Sequence, residues 1–221
     1  MNSVHVTGEE TTEHPGAAVP ATLERQRRRT IELLEGVDVA AVTAVVEHLL
    51  ESWRRGALVV IAGNGGSAST ASHMANDLVK ATRAESQRGV RAISLTDNVS
   101  LLTALANDEG FGAVFASQLE AVITPGDVLI LISASGNSPN AVAAAARANE
   151  LGASTVALVG FDGGVLARTC DLVVRVDSET GEYGPVEDVH LVLNHMISEA
   201  LREAIAATRT SVEQEGMDDP H

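Results

Sequence analysis

The chain has 221 residues, a formal net charge of -15 from 15 basic and 30 acidic residues, and only 2% aromatic residues. That length fits one domain, and the acidic balance argues against a nucleic-acid binder or a protein drawn to an anionic membrane. The longest apolar runs, such as residues 128–132, fall far short of the ~20 residues that span a bilayer. Cys170 is the only cysteine, which excludes an intrachain disulfide and a cysteine-rich zinc site. Residues 1–18 carry no apolar stretch of the secretory kind, so a cytoplasmic protein is expected.

In chain order, residues 1–20 mix Thr, Glu, Gly, Pro and His without periodicity and read as a flexible tail. Between 21 and 55, Ile31, Leu33, Leu34, Val37, Val42, Val45, Val46 and Leu49 recur at helical spacing. The Gly36-Val37-Asp38 break predicts two helices there. Strand and helix signals then alternate. Strands are expected at 57–62, 90–95, 127–133, 154–159 and 172–176, and helices at 67–80, from the second strand to about 123, at 140–151 and at 186–207. The acidic residues 209–221 read as a second tail, leaving 21–208 as a single domain. Apolar strands alternating with helices predict an α/β fold, a parallel sheet covered on both faces, with ligands at the carboxyl ends of its strands.

Two strands run directly into glycine-serine loops. The first loop is Gly63-Asn64-Gly65-Gly66-Ser67 and the second Ser133-Ala134-Ser135-Gly136-Asn137-Ser138. Glycines let a ligand approach the backbone, the following helix N-terminus offers free N–H groups, and serine hydroxyls add small donors and acceptors. Two such loops at matching places suit a phosphate or a polyhydroxylated ligand. Gly63, Gly65 and Ala68 fit a dinucleotide fingerprint, but the acidic residue expected ~20 positions on is out of register. No Gly-Lys-Ser/Thr follows either loop, which excludes a nucleoside-triphosphate P-loop, and Ser133 in place of glycine excludes the hydrolase elbow around Ser135.

Of seven histidines, His5, His14 and His221 lie in the tails and His48 sits in an amphipathic helix. His73 and Asp77, four apart, share a helix face, a spacing that serves metal ligands, an acid-base pair or a plain surface ion pair. The last helix offers Glu187, Asp188, His190 and His195. Glu187 and His195 stand roughly 12 Å apart along such a helix, so they meet at one ion only by reaching towards each other or with help from a neighbouring subunit.

With these loops, His73-Met74-Ala75, Asn107-Asp108, Gly110-Phe111, Gly160-Phe161-Asp162-Gly163-Gly164 and Val186-Glu187-Asp188-Val189-His190 in one order, residues 21–207 resemble the sugar isomerase (SIS) domain family. Within it they resemble the sedoheptulose 7-phosphate (phosphoheptose) isomerases. The resemblance implies a flavodoxin-like three-layer sandwich with a five-stranded parallel sheet after N-terminal helices. It also implies a homotetramer with active sites between subunits. By match to the family motif, Asn64, Gly65, Ser67, Ser133, Ser135 and Ser138 would hold the phosphate, and Asp97 and Glu187 would contact the substrate. His73, Asp77, Glu187 and His195 fall on zinc-binding positions, one ion per site. Asp77 falls on the catalytic base and His195 on its acid partner.

The chain departs from the family pattern as well. Asp77 stands where the family has Glu, Glu187 where it has Gln, Ala134 where it has Thr, and Gly184 where it has Asp. The expected activity is interconversion of a ketose and an aldose phosphate through an enediol. An isomerase of another long-chain sugar phosphate is one alternative. A non-catalytic member that binds a sugar phosphate or an initiator protein is the other.

Overall fold

The structure, a computed structural model, describes residues 18–83 and 88–215, with side chains as far as Thr208. His5, His14, His221, most of the expected N-terminal tail and residues 216–221 lie outside these residues. The two helices expected between 21 and 55 are α1 (Val19–Glu35) and α2 (Val39–Arg55). The Asp38 carboxylate caps α2 by accepting from the Ala40 N–H. Then follow β1 (Leu58–Gly63), α3 (Gly66–Ala81), β2 (Arg91–Ser94), α4 (Val99–Asp108), α5 (Ala116–Val122) and β3 (Val128–Ser133). The chain continues with α6 (Pro139–Glu150), β4 (Ser154–Val159), α7 (Leu166–Thr169), β5 (Leu172–Arg175) and α8 (Tyr183–Glu215).

The five strands form one parallel sheet in the order β2-β1-β3-β4-β5. Ile61 pairs with both Ser94 and Ile130, and Ile130 in turn with Val156, so β1, β3 and β4 are central. Side chains alternate between faces, and here both faces are dry. Val59, Ile61, Val128, Ile130, Ile132, Val156 and Leu158 pack against α1, α2, α3 and α8. Val60, Ala62, Leu129, Leu131, Ala157 and Val159 pack against α5, α6 and α7. Each fully buried Val, Leu or Ile contributes about 1.5–3 kcal/mol, which is why these strands carry no polar alternation.

Three boundaries differ from the sequence expectation. The helix α7, four residues long, is too short to leave a periodic signal. The last helix begins at Tyr183 rather than 186, because Pro185 is tolerated in a first turn where its missing N–H is not needed. It also runs on to Glu215, into the segment read as an acidic tail. Among the described residues, no helix is long and apolar enough to cross a membrane.

Candidate active site

The order 2-1-3-4-5 reverses direction between β1 and β3, and the crevice at such a switch point is where open parallel sheets bind ligands. The two strands flanking the switch are those that end in the glycine-serine loops. A cavity of about 110 Å³ lies there, walled by Asn64, Ser67, Ser133, Ser135, Ser138 and Glu187, with Tyr183 at its rim. Neither Gly65 before α3 nor Ser138 before α6 makes a capping hydrogen bond, although within α6 the Ala141 N–H donates to Asn140 Oδ1 at 2.9 Å. The positive dipole ends of both helices point into the crevice, an environment that favours an anion. No Lys or Arg lines the cavity.

The loops are braced internally. Asn64 and Asn140 donate to each other's carbonyls at 2.8 and 2.9 Å, a reciprocal bridge between the two loops. The second loop folds on itself as the Gly136 N–H donates to Ser133 Oγ at 3.2 Å and the Asn137 N–H to Ser135 Oγ at 3.2 Å. Asn137 also accepts from the Val165 N–H at 3.0 Å, tying the loop to the start of α7. Gly136 has φ +62°, and a Cβ there would run into the Gly163 carbonyl, so only glycine fits. Asn140 is buried, and nothing in its surroundings along the sequence marks it as part of the site.

Beyond the cavity, α3 and α8 bring three side chains to one point. His73 Nε2 lies 3.2 Å from Asp77 Oδ2 and 3.3 Å from His195 Nε2, and His195 Nε2 lies 3.7 Å from Asp77 Oδ2. The rings of His73 and His195 meet edge to face with centroids 5.0 Å apart. Both are open to solvent, with side chains 42% and 57% exposed, against 19% for Asp77. Asp77 is held from behind: Asn194 Nδ2, fully buried, donates to Asp77 Oδ2 at 2.8 Å. Sequence reasoning missed Asn194.

These separations match the edges of a zinc tetrahedron, which for bonds of ~2.1 Å are about 3.4 Å, so the three donors fit a zinc ion with a position left open. Glu187 does not join them. It faces Gly66 closely enough that a Cβ there would collide with its carboxylate, and it lines the loop cavity instead. Asp97 is also apart from that cavity. It accepts from Ser72 Oγ at 2.5 Å and lines a separate depression with Ser72, Asn76 and Asn98.

Comparison with known proteins follows the same lines. The model of the SIS domain matches residues 25–160, more than half of the chain. The chain belongs to the SIS domain family. A phosphoheptose isomerase from Pelobacter propionicus is 38% identical over 183 residues, covering 83% of this chain and 95% of that relative. The structure of a phosphoheptose isomerase from Neisseria gonorrhoeae superposes with a TM-score of 0.76 at 30% identity, covering 86% of this chain and all of the other. One from Francisella tularensis gives the same TM-score at 25% identity. Within the SIS domain family, the chain therefore groups with the phosphoheptose isomerases.

Proposed function

We propose that the chain is an aldose-ketose isomerase of a sugar phosphate, with sedoheptulose 7-phosphate as the ketose, working as a cytoplasmic homotetramer with one zinc ion per site. The observation that carries this reading is the adjacency of two unlike halves: a phosphate-sized cavity at two helix N-termini, and a His-Asp-His cluster formed by later turns of α3 and α8. Asn64, Gly65, Ser67, Ser133, Ser135 and Ser138 hold the phosphate, which the backbone dipoles stabilise without a lysine. The sugar extends from that anchor towards Asp77 and His195.

Isomerisation moves a proton between adjacent carbons. Asp77 takes the proton from the carbon beside the carbonyl and His195 serves the carbonyl oxygen as acid, with His73 holding both by its edge contact and hydrogen bond. His73, Asp77 and His195 would hold zinc, and the ion when bound polarises the substrate carbonyl. A carboxylate on a metal is a weaker base, so the two duties of Asp77 compete. Glu187 would join the ligands only by leaving the loop cavity. The exposure of His73 and His195 supports a site completed by a neighbouring subunit, which would also bring Asp97 into contact with the substrate.

A second reading keeps the chemistry and changes the sugar. It is favoured by Tyr183 at the cavity rim, where the adjoining Gly184 offers no carboxylate for a substrate hydroxyl. The deciding experiment measures metal content together with turnover of sedoheptulose 7-phosphate. One zinc per chain with turnover is expected; a metal-free protein that binds sugar phosphates without turnover overturns the enzyme reading.

A further inference from the structure

The buried face of α8 carries three polar residues one turn apart, His190, Asn194 and Ser198, in a helix otherwise packed through Val186, Val189, Leu193, Ile197 and Leu201. A fully buried amide is retained in such a place only if its donors and acceptor are paired. Asn194 is paired in one sense only. Its Oδ1 accepts from Ser198 Oγ at 3.3 Å, which points Nδ2 at Asp77 Oδ2, 2.8 Å away. A turned amide would set its carbonyl against the carboxylate and leave its N–H groups facing the hydroxyl. The oxygen that receives this bond is the same one that faces His73 and His195, while Oδ1 has only Asn76 Nδ2 at 3.3 Å.

We infer that Asn194, set by Ser198, is a positioning residue that fixes the Asp77 carboxylate so that its Oδ2 faces His73 and His195. The inference rests on the isomerase reading for its kinetic consequence, but its geometry stands on this chain alone. A short acid reaches the cluster in few rotamers, and a misplacement of ~1 Å at a reacting group costs on the order of 100-fold in rate. The amide donor removes the rotamers in which Oδ2 turns away.

The test compares Asn194→Leu, which keeps the branched shape and removes the donor, with Asn194→Asp, which sets two carboxylates face to face. Three quantities are read: kcat, KM for sedoheptulose 7-phosphate, and zinc affinity by competition with a chromophoric chelator. Asn194→Leu is expected to lower kcat by about 10–100-fold and zinc affinity by about 10-fold, with KM within twofold because the phosphate loops are untouched. Asn194→Asp is expected to lose more kcat than Asn194→Leu. Should either variant fail to fold, Ser198→Ala, which never touches Asp77, is expected to lower kcat about threefold with KM unchanged, alongside a modest loss of melting temperature from the unpaired Asn194 Oδ1. A kcat and zinc affinity within twofold of wild type in Asn194→Leu, or a Ser198→Ala that loses melting temperature and no kcat, overturns the inference. If the wild type binds zinc without turnover, the isomerase reading falls and the zinc competition alone decides for Asn194. If it does neither, both fall.

Discussion

A carboxylate inside an anion-binding cavity is an unusual choice, and Glu187 makes it. It stands beside the α3 N-terminus, where its negative charge complements the helix dipole but opposes an incoming phosphate. Removing the charge while keeping the shape should therefore improve ground-state binding. Glu187→Gln is expected to tighten inorganic phosphate or sugar phosphate binding several-fold, on the order of 1 kcal/mol, measured by calorimetry. The proposed acid-base pair gives the opposite outcome. Asp77→Asn and His195→Ala should each lower turnover by at least about 100-fold while phosphate affinity stays within twofold, since neither lines the cavity. Cys170 takes no part: burial pushes its thiol up to about 11, which suits an inert core residue.

Among elements, the second loop is the most constrained. Gly136→Ala forces a side chain into left-handed backbone and onto Gly163, and is expected to cost about 2 kcal/mol or more, with phosphate affinity lost alongside melting temperature. The start of α8 is held differently. Arg29 of α1 grips Glu182 through two hydrogen bonds of 2.7 and 2.8 Å, and the Arg29 guanidinium holds the Glu182 carboxyl below its usual range. This pins the turn that presents Tyr183, whose ring meets Phe161 edge to face at 5.1 Å. The loops were legible in the sequence because glycine and serine cluster nowhere else in that way at strand ends. Strands were legible because two dry faces demand unbroken Val, Leu and Ile. Asn140 and Asn194 were not, since a single amide on a helix has no motif, and its partner is known only once α3 and α8 are packed together. The faint signal was the 190-194-198 polar row within an apolar helix. The helical rise put Glu187 and His195 roughly 12 Å apart, yet both were expected on one ion; here Glu187 lines the loop cavity while His195 stands with His73 and Asp77.

For the molecule as a whole, acid stability turns on His190. It is fully buried, and neither ring nitrogen finds a hydrogen-bond partner. Burial pulls it down to about 4, opposed in part by the neighbouring Val159 backbone. The unfolded chain takes the proton near its ordinary value of about 6.5, so stability is complete above that pH and drains away between 6.5 and 4, by on the order of 3 kcal/mol. Urea midpoints at pH 7.5, 5.5 and 4.5 should fall steeply for the wild type and less so for His190→Met. On the outer surface, α4 buries no residue of its own, and Val99 and Leu101 are 66% and 42% exposed. An apolar helix in that state suits a subunit contact. Val99→Glu combined with Leu101→Glu is expected to dissociate the proposed tetramer in light scattering, and to lower turnover if sites are shared.

The packing of α8 on α3 has a consequence in time. A chain synthesised from its N-terminus has all five strands and both phosphate loops once Arg175 has left the ribosome. Glu187, Asn194 and His195 are still to come. The nascent protein can thus own both glycine-serine loops before α8 supplies the last wall of the cavity, at Tyr183 and Glu187, and the proposed acid partner of Asp77.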